Sequence, residues 1–214
     1  ARIDDYVDRA FVAAASGRPG PAVLLIPMDV LRLPARSAPN RRGSAGTYPL
    51  DRAVPPPDRI AEAAALLARS QRPLVVAGGG VHRSRASEAV EDFSRATGLP
   101  LATTNMGKGT IDETGPLAAG VFSNCMGPGT APGHLRTLAT DADVVLLLGT
   151  RTNQNGTDSW TLFPPAATFI HIDIDPQEIG RNYDTVRLVG DVGATLPLLQ
   201  AALGRHDLRA LHAR

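Results

Sequence analysis

The chain of 214 residues is 43% hydrophobic and 20% charged, the balance of a globular protein able to bury a core. A formal net charge of +1 excludes bulk electrostatic attraction to nucleic acid or to an anionic membrane surface. The one cysteine, Cys125, excludes an internal disulfide and fits a reducing cytoplasm, and the longest apolar run, Val144 to Leu148, is too short to span a bilayer.

The first residues, "ARIDDYVDRAF", have neither the basic start nor the apolar centre of a signal peptide, and they open directly in a helical pattern. The absence of an initiating methionine leads us to expect a piece of a longer protein. Ile3, Val7, Ala10 and Phe11 recur at helical spacing over residues 3–16, and "SGRPG" ends the pattern. "PAVLLIP", residues 21–27, reads as a short buried strand closed by Pro27. From Leu33 to Pro57 the chain is rich in Pro, Arg, Gly and Ser without apolar periodicity, so a linker over residues 33–56 separates residues 1–32 from a domain over 57–204. Residues 205–214 read as the start of another connection.

Beyond the linker the pattern is regular. Asp58 to Ser70 predicts an amphipathic helix with Ile60, Ala63, Ala64, Leu67 and Ala68 on one face, and "PLVVAGGG" a strand entering a glycine turn. Residues 84–97 predict a helix with Ala86, Ala89, Val90, Phe93 and Ala96 inward and Gly98 as its cap. "LPLATT" is the next strand, His134 to Thr140 a short helix, and "ADVVLLLG", "ATFIHIDID" and "VRLVGD" three further strands. Ala194 to Leu203 closes the series as a helix. Strands that are apolar throughout, alternating with helices, indicate an α/β fold with a parallel sheet covered on both faces.

A parallel strand that runs into glycines and then a helix leaves backbone N–H groups free for an anion such as a diphosphate. The dinucleotide fingerprint G-x-G-x-x-G is met by Gly78 and Gly80 but has Arg83 at its third position, and the second strand ends in Thr103 and Thr104 where a ribose-binding acid belongs. A tight turn that merely needs small residues explains the segment equally well. The other strand ends are also small, polar or charged: "ATTNMGKG", "LLLGTRTNQN", "IHIDIDP" and "LVGD". Ligands of open parallel sheets bind outside the carboxyl ends of strands. Gly149 followed by Arg151 would set a guanidinium beside a phosphate, against the alternative of a surface ion pair. Asp173 and Asp175 could accept from ribose hydroxyls, although a turn before Pro176 explains Asp175 better. The histidines, at 82, 134, 171, 206 and 212, have no metal-ligand spacing, and His171 on its apolar strand reads as a core residue. Trp160 reads as a packing anchor under a loop.

Taken in order, "RPLVVAGGGVHRSRASEAVEDFSRATGLPLATTNMGKG", "ADVVLLLGTR", "IHIDIDPQEIGRN" and "VGD" resemble the central domain of thiamine-diphosphate-dependent enzymes, in their acetolactate synthase-like branch. "GRPGPAVLLIPMDVL" resembles the end of that family's pyrimidine-binding domain. The resemblance implies a three-layer open parallel sheet of six strands, Rossmann-like and similar to DHS-like NAD/FAD-binding domains, holding FAD, ADP or nothing. It implies that Gly78, Gly79 and Gly80 approach a diphosphate and that Thr103 and Thr104 line the groove. Gly149 and Arg151 would contact the phosphate or ribityl region, Asp173 and Ile174 the adenosine, and Gly190 and Asp191 would close that end. One departure stands out: "TNQNGTDSW" follows the arginine, where acetolactate synthases usually carry an acidic and basic run.

The resemblance further implies a parent that decarboxylates a 2-oxo acid with thiamine diphosphate and Mg2+, as a homodimer or homotetramer. The catalytic glutamate and the metal-diphosphate motif of the family belong to its flanking domains, so the fragment alone is expected to be inactive. "VGDVGATL" places Val192 where that metal motif has glycine. A free-standing nucleotide-binding module and a purely architectural domain are the alternatives.

Overall fold

A computed structural model describes residues 2–34, 46–123 and 126–204, and the chain divides into two compact units, Ala1–Arg52 and Ala53–Arg214. The expectations for Cys125, His206, His212, residues 35–45 of the linker and residues 205–214 lie outside the described residues.

In the first unit, α1 (Ile3–Ala15) begins with Asp4 and Asp5, whose charges suit the positive end of the helix dipole. It ends where Ser16 turns extended and Gly17 adopts φ +57°. The Ser16 hydroxyl donates to Asp51 at 2.9 Å. A second short helix, α2 (Met28–Leu31), follows. The strand expected over residues 21–27 is not formed. That segment has no regular secondary structure and pairs with no strand among the described residues, and Val23 and Leu25 are 82% and 87% exposed. An apolar run specifies a strand only when a neighbour satisfies its backbone N–H and C=O groups.

The second unit carries a six-stranded sheet: β1 (Pro73–Ala77), β2 (Leu101–Thr104), β3 (Ala118–Phe122), β4 (Val144–Leu148), β5 (Thr168–Asp173) and β6 (Thr185–Val189). Their order is β3-β2-β1-β4-β5-β6 and every pairing is parallel. The central strands β1 and β4 are buried at every position, as their unbroken Val/Leu runs require. Sequence reading missed β3, whose "AAGVF" has no β-branched run and carries Gly120 at φ +73°, beside a register irregularity against β2.

Alternation along the strands divides the core in two. Val75, Leu146, Ile170 and Ile172 face the helices α3 (Pro57–Arg69), α5 (Ser87–Thr97) and α7 (Val192–Leu203). Val76, Val145, Leu147 and Phe169 face the other layer, formed with Phe122, Met126, Leu162 and the short α6 (Arg136–Thr140). Ile60, Ala63, Ala64 and Leu67 of α3 are all buried, the i, i+3, i+4, i+7 face read from sequence. Burying a side chain such as Leu67 or Phe93 contributes about 2 kcal/mol each. The helix expected over residues 84–97 is divided: α4 (Gly79–Ser84) ends at Arg85 in the left-handed region, φ +53°, before α5 starts. Ser84 accepts from the Gly193 N–H at 3.0 Å, which ties this break to α7.

At the amino edge of the sheet, Asp143 joins α3 to β4. Its carboxylate accepts from the Ser70 hydroxyl and from the N–H groups of Gln71 and Arg72, at 2.7 and 3.0 Å. Burial pushes this carboxyl up, but the hydrogen bonds together hold it below the usual carboxylate range. Asp143→Ala strands these donors, and we expect it to cost about 2 kcal/mol. Urea unfolding of the variant at pH 7 measures the loss.

Candidate functional site

Chain direction reverses between β1 and β4: after β1 the strands proceed outward to β3, then cross to β4 on the other side of β1. A crevice outside the carboxyl ends of these two strands is the topological switch point of an open parallel sheet. Gly78, Gly79 and Gly80 leave β1 there, and Gly149, Thr150 and Arg151 leave β4.

The two turns touch. Gly78 N–H donates to the Leu148 carbonyl at 2.8 Å and Gly80 N–H to the Gly149 carbonyl at 2.9 Å. A Cβ on Gly78 would lie 2.5 Å from the Gly149 oxygen, and one on Gly80 2.7 Å from the Gly149 Cα. Two of the three N–H groups expected to stand free at the helix start are therefore engaged within the sheet. Gly79, whose N–H is not used in these contacts, faces the loop after β2, where a Cβ would lie 3.1 Å from the Met106 carbonyl oxygen. Sequence reading passed over Gly107 in that loop, which fits against Ala77 so closely that a Cβ would fall 2.2 Å from its carbonyl oxygen. The signal available was the "MGKG" pair of glycines directly after a strand.

Of the two threonines, Thr103 is fully buried and its hydroxyl has no partner among the described residues. Thr104 is half-buried and accepts from the Gly107 N–H at 3.2 Å, so of the two only Thr104 is partly open to solvent at the end of β2. Arg151 is exposed, and its side chain makes no ion pair or hydrogen bond within the described residues. The surface ion pair weighed as the alternative is not formed among the described residues. A free guanidinium at the switch point presents fixed donors of a geometry suited to phosphate.

The loop beyond Arg151 is held in an unusual backbone. Thr152, Asp158, Ser159 and Trp160 all lie in the left-handed region, at φ +47°, +48°, +57° and +63°. Such residues persist only where the surroundings fix them. The indole N–H of Trp160 donates to the Thr152 carbonyl at 2.9 Å, and Arg136 pairs with Asp158 at 2.6 Å. Trp160 is 46% exposed, so it pins the loop through its N–H rather than as a buried anchor.

The β5 and β6 ends are built differently. Asp173 is buried, and its carboxylate accepts from the Asp175 N–H at 2.9 Å; Asp175 in turn accepts from the Gln177 N–H at 2.9 Å, the turn expected there. Ile174 between them is half-buried. Asp191 caps α7 by accepting from the Ala194 N–H at 3.0 Å. Gly190 is packed against Pro55 and Ala53, and the Asp191 N–H donates to the Ala53 carbonyl at 2.9 Å. Both carboxylates at this end thus carry structural hydrogen bonds. Behind them, His171 is buried with its Nε2 4.0 Å from Asp173, and burial pushes the imidazole down to about 4, so it stays neutral near pH 7.

Among the described residues no His, Cys, Asp or Glu cluster could hold a metal ion, and no helix is long and apolar enough to cross a membrane. In the first unit a cleft of about 330 Å³ is lined mainly by apolar side chains, among them Ile3, Tyr6, Leu24, Ile26 and Val30.

Residues 60–199 match the family described as thiamine pyrophosphate enzyme, central domain. The acetolactate synthase large subunit of Parasynechococcus marenigrum is 35% identical over 198 residues, covering 92% of this chain and 31% of that protein. A probable acetolactate synthase large subunit of Methanocaldococcus jannaschii is 38% identical over 199 residues, covering 91% of this chain and 32% of that protein. The chain therefore spans about a third of the relatives it matches. The crystal structure of benzoylformate decarboxylase from Polynucleobacter necessarius shares the fold, with TM-score 0.72 at 21% identity over 92% of this chain and 36% of that one.

Proposed function

The chain belongs to the thiamine pyrophosphate enzymes, whose central domain its residues 60–199 form, and from that membership we propose that the second unit binds the diphosphate of FAD or ADP at the β1/β4 switch point. The observation that carries this reading is Arg151, an exposed residue that follows β4 and whose guanidinium has no ion pair or hydrogen bond among the described residues. The residues fit a diphosphate better than they fit a whole dinucleotide. Arg151 supplies charge and directional donors, Gly79 allows close approach at the start of α4, and the Thr104 hydroxyl stands half-buried at the end of β2. The carboxylates read as ribose acceptors, Asp173 and Asp175, already accept from the backbone. The bound nucleotide would take no part in electron transfer and would stiffen the domain.

The parent protein is proposed to be a 2-oxo acid decarboxylase or carboligase resembling acetolactate synthase, and a homo-oligomer. Thiamine diphosphate supplies such an enzyme with a carbanion-stabilising ring. That group and its Mg2+ are assigned to other domains of the parent, so the chain alone is expected to lack the activity. Titration calorimetry with ADP and with FAD tests the nucleotide site. Binding is expected, and Arg151→Ala should weaken it about tenfold, the effect of removing a charge-assisted contact from a partly solvated site. Unchanged affinity in that variant would remove Arg151 from the site.

A second reading, a purely architectural domain, is favoured by one observation: Gly78, Gly80 and Gly149 are all accounted for by the contact between the two turns. Absence of heat with both nucleotides would select it.

A further inference from the structure

We infer that Asn182, on the connection between β5 and β6, is a positioning residue for Arg151, and this rests on the reading of Arg151 as an anion ligand. The Asn182 side-chain amide donates to the Thr152 hydroxyl at 2.9 Å and to the Thr152 carbonyl at 3.0 Å, and lies 3.3 Å from the Arg151 carbonyl. Both N–H bonds of the amide are thus directed at the two residues that follow Thr150. Thr152 needs that support. It is β-branched, it sits at φ +47°, and it is buried. Every polar group of Thr152 is engaged: its N–H donates to the Thr150 hydroxyl at 3.3 Å, its carbonyl accepts from Trp160 as well as Asn182, and its hydroxyl accepts from Asn182.

A residue fixed on all sides sets the exit direction of its predecessor. Locking Thr152 therefore locks the backbone of Arg151, whose side chain has no partner among the described residues. Arg136 pairs with Asp158 at 2.6 Å, so the loop's own carboxylate is already engaged by another arginine. Fixing the loop before the anion arrives lowers the ordering cost of binding. Asn182 acts through Arg151 and makes no contact with the anion itself.

Trp160 is the one tryptophan of the chain and shares the Thr152 carbonyl with Asn182, so its fluorescence reports the state of the loop without any ligand. In Asn182→Leu, which keeps the side-chain size and removes both donors, Trp160 emission is expected to shift to the red. Affinity for ADP and for inorganic pyrophosphate, read by calorimetry, should fall about tenfold. The double variant Asn182→Leu/Arg151→Ala should bind no more weakly than Arg151→Ala alone, because a lost positioning contact has nothing left to position; additive losses would mark a general structural effect and overturn the inference. Asn182→Ser, a smaller disturbance, serves the same measurements if the leucine variant fails to fold. Wild-type affinity in a folded Asn182 variant overturns the role of Asn182 and leaves the nucleotide reading standing, whereas absence of binding to the unaltered chain removes both.

Discussion

Alanine at Gly107 is expected to lower the melting temperature of the six-stranded unit by roughly 10 °C, the equivalent of about 3 kcal/mol in a domain of this size. The added Cβ would stand 2.2 Å from the Ala77 carbonyl oxygen and 2.9 Å from its carbonyl carbon, both backbone atoms at the end of β1. No rotamer change relieves such a contact. Ala77 is paired on both sides, with Thr103 of β2 and Leu148 of β4, so moving it disturbs the two central ladders. Gly78→Ala should behave in the same way, its Cβ meeting the Gly149 oxygen at 2.5 Å and the Thr150 Cβ at 2.6 Å. Gly79→Ala is the control. Its nearest neighbours are Met106 atoms at 3.1 and 3.2 Å, on an exposed loop that can give way, and its loss should be under about 1 kcal/mol. Differential scanning calorimetry of the three variants orders them. If Gly79→Ala proves as damaging as Gly78→Ala, the packing account of the triplet is wrong.

The triplet also shows how far sequence reading reaches. Its place, at the end of a buried strand and the start of a helix, follows from the apolar run "PLVVA" and the residues beyond it. The division of labour inside it does not, because the partner of Gly78 and Gly80 is Gly149, some seventy positions away. Contacts between strand ends are a property of the sheet order, and periodicity carries no information about order. The same limit applies to Asp173 and Asp191. Their residue type at a strand end suits a ribose hydroxyl and a turn or helix cap alike, and only the backbone decides that both accept local N–H groups.

Elements with strong local signals were legible. The helix face of α3 and the cap at Gly98, φ +69°, stand where apolar spacing and glycine placed them; in α5, Val90 and Phe93 are buried as read, but Ala96 is exposed and Ser94 and Thr97 complete the buried face. The exceptions are the elements whose conformation depends on neighbours. β3 has little strand character of its own and exists because β2 offers it an edge. Residues 21–27 have strong strand character and remain unpaired among the described residues. The left-handed run at Asp158, Ser159 and Trp160 was beyond reach, since none of these residues is glycine and the ties that hold the loop come from Arg136 and Thr152.

Stability of the second unit is expected to fall by about 3 kcal/mol as pH drops from 6.5 to 4, through His171. Burial is the main cause of its depressed affinity for a proton: the ring is 1% exposed on β5, and its Nε2 has no hydrogen-bond partner among the described residues. The Arg187 charge on β6 pushes in the same direction, while a backbone hydrogen bond to Thr150 and the charge of Glu178 oppose it without prevailing. In the unfolded chain the imidazole takes up its proton near 6.5, whereas in the folded state it waits until about 4. Between those values the unfolded state binds more protons, so stability rises with pH through the window and is fully present above it. The free energy follows from the width of the window at about 1.4 kcal/mol per pH unit. The carboxylates with lowered pKa, Asp143, Asp112 and Glu113, start to lose their contribution only below their ordinary values of 3.8 for the aspartates and 4.5 for the glutamate, so they do not obscure the range above pH 5. Urea midpoints measured at pH 7, 6 and 5 should decline steadily in the unaltered chain. His171→Asn, which keeps a short polar side chain but does not titrate, should be less stable at pH 7, and its midpoint should stay level down to pH 5. Equal slopes in the two proteins would assign the acid sensitivity to another group.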